Sequence, residues 1–236
     1  MTQRGLLPRF VIYQHAQWKH QEIVREKLGN RQDLPTLAPF KITGEIGTWH
    51  DIPVACIDGD PKETRLIPIL EQNSVEYVFS IGFAGSLSRN LQRGNLVSPT
   101  ASVRGDGLTD SWADLKMPAV AETGALLAIN ESARLAGIQI SNGIFFTTQS
   151  VYREMEIIES WAKLGIVAIQ MEIAQYLLLP HLYGKKATGL YVISDLPIQG
   201  EEIWRTGLQM DDVLISAYHK SADIVLGAIR LLSGRG

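Results

Sequence analysis

Short apolar runs alternate with stretches of helical spacing along the whole chain. Residues 9–14 hold Val11-Ile12-Tyr13, β-branched and aromatic, and predict a first strand. Residues 17–28 carry Trp18, Ile23, Val24 and Leu28 at helical spacing and predict a helix. Residues 29–39 are polar, with Pro35 and Pro39, and predict a loop. A strand is expected over 52–57, a turn at Asp58-Gly59-Asp60-Pro61 and a short helix over 63–72. Residues 76–81 are a near-continuous apolar run ending on Gly82, the pattern of a strand buried on both faces inside a mixed or parallel sheet. Further strands are predicted over 95–103, 144–148, 166–170 and 187–194, and helices over 121–136, 154–164, 172–182 and 211–232. Gly165 is placed for a left-handed helix cap, and Asp211-Asp212 put carboxylates at the positive end of the last helix. Unbroken alternation of strand and helix predicts an α/β fold in one domain over residues 1–236. Repeats and low-complexity segments are missing, and 105–120 and 196–210 are the candidate functional loops.

Composition narrows this little further. The chain has 236 residues, 45% apolar and 20% charged, so disordered and fibrous classes are excluded. A net charge of −3 and scattered Lys and Arg predict no nucleic-acid surface. The single cysteine, Cys56, cannot form an internal disulfide. His15, His20, His50, His181 and His219 do not cluster, so no metal site is expected. Apolar runs are too short to cross a bilayer, and 1–9 lacks a secretion-signal pattern, so a soluble cytoplasmic protein without membrane partners is expected.

Polar groups at the carboxyl ends of strands face the ligand crevice in α/β sheets. Three such ends stand out. In Ser80-Ile-Gly-Phe-Ala-Gly-Ser86, two glycines allow either a tight strand–helix turn or close backbone approach to a ligand. In Gln170-Met171-Glu172, a carboxylate opens a helix, either as an ordinary helix-start acid or as a functional group. In Ser194-Asp195, an acid closes an apolar strand, where packing gives it no role. Two carboxylates at neighbouring strand ends suit acid/base work, and spacing alone leaves the reaction open.

The ordered set Ile81-Gly-Phe-Ala-Gly-Ser-Leu87, Ala101-Ser-Val-Arg-Gly-Asp-Gly107, Thr147-Thr-Gln-Ser-Val-Tyr-Arg153, Gln170-Met-Glu-Ile-Ala174 and Ile193-Ser-Asp195 resembles the nucleoside phosphorylase/nucleosidase superfamily. Ser194-Asp195-Leu-Pro197 and the long final helix are most similar to the catalytic domain of AMP nucleosidases. The resemblance implies a central mixed, barrel-like sheet flanked by helices, and a dimer-based homo-oligomer. It implies that Glu172 holds the ribose 2′- and 3′-hydroxyls, with Gln170 and Met171 against the sugar. Asp195, beside Ser194, would act as general acid towards N7 of a leaving purine. Gly82, Phe83, Ala84 and Gly85 would line the pocket, and Val151 or Tyr152 would pack on the base. The chemistry suits these residues: breaking an N-glycosidic bond builds cationic character on the sugar and negative charge on the base. An ionised carboxylate answers the first, and a carboxyl kept protonated by burial answers the second.

Two departures bear on the nucleophile. The phosphorylases carry an arginine and a small hydroxyl residue where this chain has Ser80 and Phe83. A phosphate dianion needs several donors and a cation to replace its hydration. The expectation is therefore hydrolysis of an adenosine-, methylthioadenosine- or AMP-type substrate, with no cofactor. The alternatives are a purine nucleoside phosphorylase, with phosphate as co-substrate, and a silent nucleoside-binding protein. The nucleosidases' water-activating glutamate has no counterpart at Gln17 or Trp18. Met155 and Ile157 stand where uridine phosphorylases read uracil, which favours a purine. His50 is a loop histidine, either solvated or reaching a neighbour's pocket, and Arg104 is expected to pair with Asp106 or near Glu172. Trp112 either packs or covers the site, and Trp161 belongs to the core.

Overall fold

A computed structural model describes residues 6–14, 21–35, 37, 42–58, 63–201, 207 and 210–234, without the side chains of 21, 63, 64, 151 and 153–155. Its strands are β1 (Phe10–Gln14), β2 (Gly29–Asp33), β3 (Thr43–Trp49), β4 (Ile52–Asp58), β5 (Tyr77–Ser86), β6 (Leu96–Gly105), β7 (Ala119–Val120), β8 (Ser141–Thr148), β9 (Ala168–Gln170) and β10 (Lys186–Asp195). Its helices are α1 (Gln21–Arg25), α2 (Glu63–Leu70), α3 (Thr123–Leu135), α4 (Val151–Lys163), α5 (Ile173–Leu182) and α6 (Asp212–Ser233). Single 3-10 turns occur at Thr109–Ser111 and Pro197–Gln199, inside the two long loops.

The sheet runs β10-β6-β8-β9-β5-β1-β4-β3-β2, and β10 also pairs with β5. That extra pairing closes β5, β10, β6, β8 and β9 into a ring, so the expected mixed, barrel-like α/β sheet is present. β1, β4, β5 and β10 are parallel neighbours, and their carboxyl ends lie along one edge. Alternation sorts their side chains onto two faces. Val11, Tyr13, Val78, Ala84, Tyr191 and Ile193 face a core filled by α5, which is buried from Ile173 to Pro180 and apolar there except for Gln175. Phe10, Ile12, Cys56, Phe79, Ile81, Leu190 and Val192 face a second core under α3 and α6.

Three expectations need correction. Residues 29–33 form edge strand β2, although all five are exposed and polar. It pairs with β3, which meets β4 through His50 and Asp51, both at positive φ (46° and 64°). This two-residue turn carries the twist of a tight hairpin without the usual glycine. The Gly82–Gly85 segment is no turn: β5 continues through it to Ser86. Gly85 is needed there because a Cβ would stand 2.9 Å from Pro197 and 3.1 Å from Ile169. The helix expected over 17–28 ends early: α1 closes at Arg25 and 26–28 turn into β2, while 17–20 lie outside the described residues. Gly165 does take the left-handed conformation (φ 81°) after α4.

Candidate active site

β5 is the spine of the site. Gly85 has Ile169 of β9 as its Cα partner on one side and Asp195 of β10 on the other. The Gln170-Met171-Glu172 and Ser194-Asp195 motifs thus leave the sheet on either side of the same glycine. Both acids are half-buried.

Glu172 is the N-cap residue of α5, yet its side chain makes no capping hydrogen bond. Its carboxylate is engaged by Gln170 instead. Gln170 Nε2 donates to Glu172 Oε2, and Gln170 Oε1 accepts from the Glu172 N–H at 2.6 Å. Gln170 is 6% exposed and sits at the end of β9, opposite Thr147 of β8. Thr147 Oγ1 accepts from the Ala174 N–H at 3.0 Å and lies 2.7 Å from Ser102 Oγ, so a buried hydroxyl pair fixes the first turn of α5.

Asp195 is held differently. Ser194 Oγ donates to Asp195 Oδ1 at 2.7 Å. Arg93 donates to the Ser194 carbonyl at 2.9 Å and to Asp211 Oδ2 at 2.9 Å, tying the end of β10 to the start of α6. Asp211 caps that helix through the Leu214 N–H, and this bond with Arg93 holds its carboxyl below the ordinary range.

The remaining candidates divide. Gly82, Ala84 and Gly85 are buried in β5. Phe83 turns its ring to Tyr218 of α6, 5.3 Å between centroids, on the face opposite α5. Ser80 is buried and accepts a hydrogen bond from the Tyr191 hydroxyl at 2.7 Å. Burial pushes the Tyr191 hydroxyl pKa up, against the pull of Ser80, and Glu172 adds to the rise, which puts Tyr191 within electrostatic reach of Glu172. Met171 is 38% exposed and Tyr152, in the first turn of α4, is 72% exposed. Val151 opens α4, and its side chain lies outside the described residues.

Arg104 does not reach Glu172, and its ion pair is with Asp110 at 3.0 Å rather than Asp106. Its guanidinium also donates to the carbonyls of Thr109, Ala113, Asp114 and Met117, stapling the loop that carries Trp112. Asp106 joins through Thr109, whose hydroxyl donates to it at 2.5 Å. Trp112 meets Tyr183 at 6.4 Å, and Trp161 stacks on Phe146 at 4.6 Å in a satellite core. Sequence reasoning missed a cluster at the ends of β1 and β4: buried Gln14 donates to Asp58 Oδ1 at 3.0 Å and Arg25 to Asp58 Oδ2 at 2.8 Å. Among the described residues, no group of three or more His, Cys, Asp or Glu could hold a metal ion, and no helix is long and apolar enough to cross a membrane.

A closed mixed sheet flanked by helices, with two acids leaving it on either side of one central strand, defines the class of α/β protein to which this chain belongs. Comparison with known proteins gives the family: residues 62–230 match the phosphorylase superfamily model, and the chain belongs to that superfamily. Purine nucleoside phosphorylase of Plasmodium vivax is 24% identical over 137 residues, 56% of this chain and 56% of that protein. Uridine phosphorylase of Escherichia coli is 26% identical over 144 residues, 55% of this chain and 57% of that protein. The chain thus spans little more than half the length of these curated relatives. The crystal structure of Toxoplasma gondii purine nucleoside phosphorylase in complex with immucillin-H superposes with a TM-score of 0.84 at 20% identity, covering 98% of this chain and 94% of that one.

Proposed function

We propose that the protein cleaves the N-glycosidic bond of a nucleoside, with Glu172 on the ribose hydroxyls and Asp195 as general acid to the departing base. The observation that carries this reading is the placement of the two acids on either side of Gly85, each oriented by a neighbouring polar side chain. Glu172 stabilises positive charge developing on the sugar, and Asp195 delivers or shares a proton as negative charge builds on the base. The base is a purine, whose N7 gives Asp195 a site to protonate. The pocket is completed in a homo-oligomer, where the exposed Tyr152 gains cover.

Phosphate is the favoured acceptor, because the matching relatives are named phosphorylases. This reverses the balance drawn from sequence alone, which leaned to water. Water is kept as a second reading on one observation: neither Ser80, buried and paired with Tyr191, nor Phe83, packed on Tyr218, supplies the cation that a phosphate dianion needs.

The test is base release from adenosine, inosine, methylthioadenosine, AMP and uridine, with and without phosphate. Phosphorolysis predicts free purine only with phosphate, together with a ribose 1-phosphate product. Hydrolysis predicts release without it. Asp195→Asn should lower kcat by roughly 10²–10⁴-fold, the usual contribution of a general acid. Binding without base release from any of these compounds would show a silent nucleoside-binding protein instead.

A further inference from the structure

We propose that Gln170 is a positioning residue that sets the carboxylate of Glu172 for recognition of a ribose 2′-hydroxyl, rather than a residue that touches the sugar. This rests on the glycosidic-bond reading above.

Three observations converge. First, the Gln170 amide is used at both ends by one residue: its nitrogen binds the Glu172 carboxylate, and its oxygen binds the Glu172 backbone N–H. An amide so engaged fixes both the carboxylate and the backbone that carries it. Second, Glu172 occupies the N-cap position without capping, so the helix itself does not hold its side chain. Third, Gln170 is buried on a strand whose neighbours are pinned, through Thr147 and Ser102, to the first turn of α5. A carboxylate carried by one residue between a short strand and a helix has free rotation unless a neighbour restricts it. Gln170 supplies such a restriction through a neutral amide. A donor bonded to a carboxylate is among the stronger neutral contacts, and its loss alters geometry more than charge.

The chemical consequence is selectivity. A fixed carboxylate rewards a sugar that presents a hydroxyl where the oxygen waits, and a sugar lacking it leaves that oxygen desolvated and unpaired. Ribonucleosides should therefore be preferred over their 2′-deoxy counterparts, and the preference should depend on Gln170.

The experiment measures calorimetric binding and, where turnover occurs, kcat/KM for adenosine and inosine against 2′-deoxyadenosine and 2′-deoxyinosine. The proteins are wild type, Gln170→Leu and Gln170→Glu. Gln170→Leu should weaken the ribonucleosides about ten- to hundredfold, the range for a lost bond to a charged group, and the deoxynucleosides, which keep only the 3′-hydroxyl for Glu172, by a clearly smaller factor. Gln170→Glu keeps the acceptor for the Glu172 N–H but places two carboxylates together. At low pH the pair shares a proton that restores the donor, and as pH rises both ionise and repel. Ribonucleoside selectivity in this variant should then be present at acid pH and lost towards neutrality, while wild type stays level over the same interval. Equal loss for both sugar classes, or an unchanged pH profile in Gln170→Glu, overturns the positioning role and leaves the glycosidic reading standing. Absence of any nucleoside binding by wild type overturns both.

Discussion

Asp58 shows how one residue carries more consequence than its place in the sequence suggests. It ends β4, its side chain is 7% exposed, and it takes donors from Arg25 and Gln14. Burial raises its pKa above the ordinary carboxylate range, although Arg25 and Gln14 pull it down. A carboxyl with a raised folded-state pKa binds its proton more tightly folded than unfolded. Its stabilising contribution is therefore full below the unfolded value and lost as pH rises through the raised one. Asp58→Asn has no such proton, so the stability of wild type relative to this variant should improve as pH falls from 7 to about 4. Urea midpoints across that interval check it. Asp58→Ala should cost about 3 kcal/mol at neutral pH, the low end for breaking a buried pair, because Arg25 keeps Glu22 at 2.5 Å. Arg25→Met with Asp58→Leu should recover most of that loss. In sequence Asp58 reads only as the start of Asp-Gly-Asp-Pro, a turn signal. The candidate acids were legible because they follow apolar runs. Their orienting partners Gln170 and Ser194 were legible with them as sequence neighbours, whereas a side-chain pairing such as Tyr191 with Ser80, 111 positions apart, leaves no local pattern.

Elements were legible where a buried face imposes a period. β1, β4, β5 and β10 alternate between two cores and read directly from their apolar runs. β2 and β3 have little buried surface to write into the sequence: Gly29–Asp33 is wholly exposed, and Thr43–Trp49 contains two glycines and one isoleucine. β5 misled in the other direction. Its glycines look like a turn but serve close packing, as the contacts at Gly85 show. Gly189 of β10 makes the same point more severely. A Cβ there would lie 2.3 Å from Ser80 Oγ, 2.7 Å from the Tyr191 ring and 2.9 Å from the Ser80 carbonyl. Gly189→Ala should destabilise by about 1–3 kcal/mol, the usual range for overpacking. Adding Ser80→Ala should restore only part of this, because the backbone carbonyl and the ring remain. Thermal melts of the single and double variants test the claim, and full recovery in the double variant would place the strain on the hydroxyl alone.

At the scale of the molecule, one sheet links every strand among the described residues, and the β10–β5 pairing closes its ring, so partial opening should find no natural boundary short of the β2–β3 edge. Cys56 can report this. It lies in the middle of β4 with Ile12 of β1 on one side and Glu45 of β3 on the other, and it is fully buried. Its thiol faces the core beneath α6, and burial pushes its pKa up, with Asp58 adding to the rise against Arg25. In the folded chain the thiol is therefore both covered and protonated at neutral pH, and only the thiolate reacts. Loss of the β2–β3 hairpin alone would leave β4 as an edge strand, but the thiol would still be covered by the helices on its face. Labelling by a thiol reagent should thus require the whole fold to open. Measured across increasing urea, its onset should coincide with the loss of helical circular dichroism, in a single transition. Labelling at urea concentrations where helicity is intact would mean that α6 leaves the sheet in a separate step. The ties from Arg93 to Asp211 and from the end of β10 to the last helix would then be the weak seam, and Asp195 would sit beside it.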